Sequence, residues 1–401
     1  MASTQDPASV PRLRRLSSVK LERFKAAFQP APIELDDFNV VIGRNGSGKS
    51  TLLEALQWLD TTIRRDAREA CDRYFGVRDL VNLRSQSNVA FFEITLVWDT
   101  NDPQTPRLRY RVRVQDSGEN VPVIVAETLV PVDWDDQPGE PLISTLAPGV
   151  RTVADRAVVV RDTDRLALGI LESTDTGPLI GGLGRFWQDA VFLRLSPNRL
   201  AGGSRATRRS FDPLLDEEGQ TLAALLHELT DDERQELADE LSDILEGIKD
   251  VEVSTEGSER NQRANYSLLE RMPYRGRAGR KQFPIPAWML SEGTRRITAI
   301  LALLKHDPRP SLLCIEEIEN GLDPWTVREV VRHLESAADS GTQVVMTTHS
   351  PWLLDEVPLD SILQVRRIEG DTQYEHFASR AEIQEFKQSV PAGTRYVHAD
   401  S

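Results

Sequence analysis

Residues 38–60 read FNVVIGRNGSGKSTLLEALQWLD. Phe38 to Ile42 is apolar and β-branched, the pattern of a buried strand. Leu52, Leu53, Leu56 and Leu59 then recur at helical spacing, which predicts a helix with one apolar face. Between them, Gly43-Arg44-Asn45-Gly46-Ser47-Gly48-Lys49-Ser50 fits G-x-x-x-x-G-K-[ST]. Glycines there let backbone N–H groups turn inward around phosphates, and the helix N-terminus adds its positive end. On this reading Arg44, Asn45, Gly46, Ser47, Gly48, Lys49, Ser50 and Thr51 cradle a nucleotide. Lys49 reaches the β- and γ-phosphates and Ser50 ligates Mg²⁺. A chance Gly-rich turn would need the flanking strand and helix to be coincidence.

SLLCIEEIENGLDP, from Ser311, supplies a second piece. Leu312 to Ile315 has the character of a central parallel strand. It runs into Glu316 and Glu317, and an acid pair at the end of a buried strand is costly unless a cation or water uses it. Glu316 is expected to support Mg²⁺, and Glu317 to orient and deprotonate an attacking water. VVMTTHSP, from Val344, predicts another buried strand with His349 at its C-terminal edge, where open parallel sheets place ligands. The other five histidines are read as structural or exposed, and none of the six has a metal-ligand spacing.

PAWMLSEGTRRITAI, residues 286–300, predicts a second helix start. Ser291 suits an N-cap, and Gly293 allows close backbone approach. Since the chain's own phosphates already have a loop, this start is expected to face the nucleotide of a second copy. Two chains would pack as an isologous pair around two ATP molecules, with Asn320 to Asp323 at the same interface.

Residues 89–130 alternate with period two, predicting an antiparallel subdomain. Residues 131–150 read as a loop rich in Pro, Asp and Gly, in which the Asp133 to Asp136 stretch is taken as solvated. AVFLRL at 190–195 reads as a buried strand. Residues 216–246 read as helical and carry about twelve carboxylates against one arginine, a solvated face. Three basic stretches, 12–25, 199–209 and 271–281, either converge into a DNA platform or are unrelated loops.

The formal charge of −15 weighs against a passive nucleic-acid coat. No apolar run is long enough to span a bilayer, so no membrane partner is expected. Two cysteines exclude a disulfide framework. The basic, polar N-terminus is not a secretory signal, and a cytoplasmic location is expected.

The order of P-loop, LSEG, CIEE, NGLDP and TTHSP resembles an ABC-type ATPase head, where these are the Walker A, signature, Walker B, D-loop and H-switch motifs. The opening LERFKAAFQPAPIELDDFNVVIGRNGSGKSTLLEAL is similar to the start of the SMC, RecF and OLD group. The resemblance covers 17 to about 368. It implies an α/β P-loop NTPase fold, an ABC-ATPase head with an antiparallel β subdomain and a helical insertion. It implies ATP and Mg²⁺ as ligands, a homodimer, and hydrolysis of ATP. In that scheme Lys49, Glu317 and His349 are catalytic, Ser50 and Glu316 hold the metal, and Ser291, Gly293 and Asp323 act on the nucleotide across the dimer.

The expected division is a disordered tail at 1–11, the N-terminal part of the head at 12–200, a helical and basic insertion at 201–281, and the C-terminal part at 282–401. The Q-loop falls nearest Ser196 to Arg199. About fifty residues follow His349, too few for an OLD-type nuclease domain. Relatives imply work in DNA repair or phage defence, on double-stranded DNA or through a nuclease or toxin effector. A regulatory switch without DNA binding is the alternative, and a transporter subunit a weaker one.

Overall fold

The computed structural model describes residues 13–84, 89–100, 104–147, 149–154, 156–160, 162–171, 177–209, 212–258, 262–271, 282–387 and 389–399. The expected tail at 1–11 and the basic stretch beyond Arg271 lie outside these. The chain forms two compact units, Met1–Gln188 with Asp360–Glu385, and Asp189–Leu359 with Phe386–Ser401.

The first unit begins with β1 (Leu13–Glu22), β2 (Ile33–Glu34) and β3 (Phe38–Gly43), followed by α1 (Lys49–Arg64) and α2 (Ala67–Asp72). An antiparallel run follows: β4 (Phe91–Thr100), β5 (Arg107–Asp116), β6 (Pro122–Val132), β7 (Ile143–Ala147), β8 (Val150–Val153) and β9 (Arg156–Val159). Helices α3 (Ala167–Ile170) and α4 (Gly177–Gln188) close the segment. The sheet order is β2-β1-β4-β5-β6-β7-β8-β9. The alternation at 89–130 thus becomes β4 to β6. The loop expected at 131–150 is corrected: β7 lies within it, with Ile143 buried and paired to Leu129. Pro131, Pro138, Gly139 and Pro141 dominate the composition there and mask the short strand behind them.

The four leucines of α1 are buried as the period demands. Trp58 on the same helix meets Phe92 of β4 edge-on at 5.0 Å, so the phosphate-loop helix is seated on the antiparallel sheet. A second tie is ionic. Glu127 and Arg151 are fully buried and paired at 3.2 Å. Glu127 also accepts from Tyr110 (2.9 Å), Ala167 N–H (2.8 Å) and Leu168 N–H (3.1 Å). It thereby caps α3, whose Gly169 lies so close to Ile63 of α1 that a Cβ would come within 2.1 Å of its carbonyl oxygen.

The second unit contains β10 (Val191–Leu193), α5 (Pro197–Leu200), β11 (Ser204–Arg205), α6 (Leu222–Glu228), α7 (Asp231–Ile244), β12 (Ile248–Glu256), β13 (Arg263–Arg271) and β14 (Gln282–Pro286). Then come α8 (Glu292–Lys305), β15 (Leu312–Ile315), α9 (Pro324–Asp339) and β16 (Gln343–Thr348). β15 pairs in parallel with β10 on one side and β16 on the other. The acidic segment is two helices rather than one. Thr230 and Glu233 form a capping box that starts α7 afresh. Part of the acidic face is engaged, since Lys305 of α8 reaches Glu240 at 2.6 Å and Glu236 at 3.3 Å.

The chain returns to the first unit with β17 (Ile362–Ile368), β18 (Asp371–His376) and α10 (Ala381–Gln384), and ends in α11 (Ala392–Ala399) of the second. β17 pairs in parallel with β3 and antiparallel with β18. The class is α/β with an antiparallel subdomain, as the sequence implies, and the segment expected as a helical insertion holds α6 and α7 together with an antiparallel sheet ordered β11-β13-β12, with β14 against β13.

Glu127→Ala should lower unfolding stability by about 3–5 kcal/mol, because it leaves Arg151 buried without its counter-charge. Urea denaturation checks this.

Candidate nucleotide site

The loop between β3 and α1 takes the shape its glycines allow. Gly46 has φ +75° and Gly48 φ +105°, both in the left-handed region. Gly48 is the N-cap of α1 and offers no side chain to cap it, which suits an anion at the helix start. Lys49 is buried, and its ammonium donates to Gly43 O (2.6 Å) and Arg44 O (3.1 Å). Arg44, Asn45, Gly46 and Ser50 are exposed, whereas Ser47 and Thr51 are buried. Ser47 Oγ is buried without a hydrogen-bond partner among the described residues.

The loop is braced from behind by residues the sequence reading missed. Thr372 Oγ1 donates to Ser47 O at 3.0 Å, and Tyr374 OH donates to Gly48 O at 2.8 Å. Burial pushes the Tyr374 phenol well above its usual range, so it stays a donor. A Cβ on Gly48 would meet Thr372 Oγ1 at 2.6 Å. No sequence signal joins residues more than 300 positions apart.

In the second unit the carboxylates after β15 and the histidine after β16 meet. Glu317 Oε1 lies 3.3 Å from His349 Nε2, and its Oε2 accepts from Asn320 Nδ2 at 2.5 Å. The backbone of Glu317 has φ +49°, strained for a residue with a Cβ. Three bonds hold it there: Glu317 N–H to Thr347 Oγ1 (2.9 Å), Ile318 N–H to Thr347 O (3.2 Å) and Asn320 N–H to Glu317 O (3.0 Å). Glu319 Oε1 accepts from the His349 N–H at 2.6 Å. Glu316 is mostly buried, with Arg194 Nε 3.6 Å from its Oε2. The sequence signalled Glu316, Glu317 and His349. The supporting parts of Arg194, Glu319 and Thr347 carried no pattern of their own.

Ser291 is the N-cap of α8 and accepts from Thr294 N–H at 3.1 Å. The close approach at Gly293 is to Gly321 O, where a Cβ would come within 2.6 Å. Asp323 caps α9, accepting from Trp325 N–H (3.0 Å), Thr326 N–H (3.2 Å) and Thr326 Oγ1 (2.6 Å). The Thr326 bonds hold its carboxyl below the usual range.

The donor set fits a nucleoside polyphosphate with Mg²⁺: an uncapped helix start behind left-handed glycines, an ammonium folded into the loop, and an exposed hydroxyl at Ser50. Together with the acid pair after β15, the helix start at Ser291 and His349 after β16, these are the features of an ABC-type ATPase head. The sequence matches the family described as AAA domain, putative AbiEii toxin, Type IV TA system, over residues 38–135 and 186–355, and the chain belongs to that family. No curated protein matches it. Its fold is similar to that of the SMC head bound to the C-winged helix domain of ScpA, at TM-score 0.50 and 14% identity over 90% of this chain and 97% of that one. It is also similar to the Smc head domain with an extended coiled coil bound to the C-terminal domain of ScpA derived from Pyrococcus furiosus, at TM-score 0.52 and 11% identity over 90% and 95%.

Of the basic stretches, those at 12–25 and 199–209 hold residues paired within the chain, and 271–281 lies outside the described residues beyond Arg271. Arg14 and Arg15 pair with Asp37 and Asp36, and Lys25 pairs with Glu54 at 2.6 Å. Arg199 pairs with Glu218 and Arg208 with Glu228. Asp133 folds onto its own turn, and Asp136 pairs with Arg107 and Arg109. No helix among the described residues is long and apolar enough to cross a membrane.

Gly48→Ala should weaken ATP binding by about tenfold or more, since both the positive φ and the Thr372 contact oppose a methyl group. Calorimetric titration checks this. Thr372→Ser alongside it should not restore affinity, because the hydroxyl contact and the backbone strain both remain.

Proposed function

We propose that this chain is an ATPase that dimerises around two ATP molecules and couples that cycle to DNA engagement or to control of an effector that acts on DNA. The observation that carries the reading is the Glu317 carboxylate, held between His349 Nε2 and Asn320 Nδ2 on a strained turn. A carboxylate so held is a general base in waiting, and its strained backbone is of the kind found at active sites.

Lys49 and the loop N–H groups bind the phosphates, and Ser50 and Glu316 hold Mg²⁺, which neutralises charge developing on the phosphates. Glu317 takes the proton of the attacking water, and His349 contacts the γ-phosphate. Ser291, Gly293 and Asp323 serve the second copy's nucleotide. The roles follow from the motif order, and the family membership supports them.

The pairing of Arg14, Arg15, Lys25, Arg199 and Arg208 with carboxylates of this chain favours a second reading, a nucleotide-dependent regulator of a partner protein. The family's description as a putative AbiEii toxin of a type IV toxin–antitoxin system supports an effector-linked role in defence.

Glu317→Gln should trap an ATP-bound dimer, seen by light scattering after gel filtration in MgATP. A variant that stays monomeric at high protein concentration sinks the dimer. ATP turnover of the wild type, with and without duplex DNA at low and physiological salt, separates the outputs. Salt-sensitive stimulation supports DNA engagement, and turnover indifferent to DNA supports effector control.

A further inference from the structure

We propose that Glu319 is a positioning residue for His349, acting as a hydrogen-bond acceptor rather than as a charge. The inference rests on the ATPase reading above. Glu317 and His349 are both close to half exposed, so packing alone does not fix the imidazole. The backbone does. The His349 N–H donates to Glu319 Oε1 at 2.6 Å, a short hydrogen bond. That bond anchors the first residue beyond β16 to the turn that follows β15. From this anchor the ring reaches Glu317 at 3.3 Å.

The same turn carries the D-loop. Asn320 donates to Glu317, Leu322 N–H donates to Glu319 O at 3.1 Å, and Gly321 O lies against Gly293 of the signature helix. Glu319 therefore joins the histidine to the segment expected to meet the second copy. Only one of its oxygens is used in this way. Oε2 is buried without a hydrogen-bond partner among the described residues. An acceptor at the Oε1 position is what the histidine requires, and glutamine supplies one.

The test compares wild type, Glu319→Ala, Glu319→Gln, His349→Ala and the Glu319→Ala/His349→Ala double variant, all as full chains. Glu319→Ala should lower kcat for ATP by about 3- to 10-fold, the worth of one hydrogen bond. KM should change by less than about threefold, because the phosphate loop is untouched. Glu319→Gln should keep most of the activity, and the double variant should be no worse than His349→Ala alone.

Equal losses for the alanine and glutamine variants, or a double variant that multiplies the two single losses, would overturn the inference. ¹³C-histidine NMR gives a readout independent of turnover. The His349 ring signal, assigned by its loss in His349→Ala, should move in Glu319→Ala and stay in place in Glu319→Gln. A wild type without ATPase activity would defeat the functional reading but leave this test standing. A His349 signal unmoved in Glu319→Ala would defeat the positioning role.

Discussion

A left-handed glutamate is the constraint on which the second unit turns. After four buried residues of β15 the chain must reverse and still present two carboxylates, and it does so by placing Glu317 at φ +49°. That conformation costs on the order of 1–3 kcal/mol for a residue with a Cβ. Thr347 offsets it by accepting two N–H groups of the turn, one on its hydroxyl and one on its carbonyl. The turn therefore needs β16 beside it, in parallel register with Leu312 opposite Gln343 and Ile315 opposite Met346. Once the two strands are set, His349 lies within reach of Glu317, and its N–H is held by Glu319.

The phosphate loop obeys the same logic in the first unit. Glycines let the backbone curl, but freedom is not shape. Tyr374 and Thr372 donate to the carbonyls of Gly48 and Ser47, which turns those carbonyls backward. Peptide planes that point their oxygens back point their neighbouring N–H groups forward. Asp371 extends the brace by accepting from Phe28 N–H and Gln29 N–H. A strand placed near the end of the sequence thus finishes a motif written near its beginning.

That division explains what could be read in advance. The loop from Gly43 to Thr51 and the acid pair at Glu316 and Glu317 are local patterns, and a strand-to-helix period frames each. Ser291 was legible because an N-cap bonds to its own helix three residues on. Thr372, Tyr374, Thr347 and Glu319 act through one or two long-range bonds each, and a lone hydroxyl or carboxylate in a strand or turn has no period to betray it. The break at Thr230 was legible in principle, since Thr-x-x-Glu is a capping box, but the unbroken acidic run around it hid the signal. β7 was hidden by its neighbouring prolines.

The signature segment shows how composition and charge are reconciled locally. Ser291-Glu292-Gly293 puts a carboxylate in the first turn of a helix proposed to meet a phosphate. An acid there suits the helix dipole but repels an anion. Arg296, one turn on, pairs with Glu292 at 3.2 Å while its own side chain is largely buried. The pair is close to neutral as seen from outside, so the helix start keeps its positive end. Ser291 takes the N–H of Thr294 and leaves the N–H groups of the first turn ahead of it outside that cap. Glu292 also packs against Gly321, so the same residue ties the start of α8 to the turn after β15. Its charge is the cost of that contact, and Arg296 contains it.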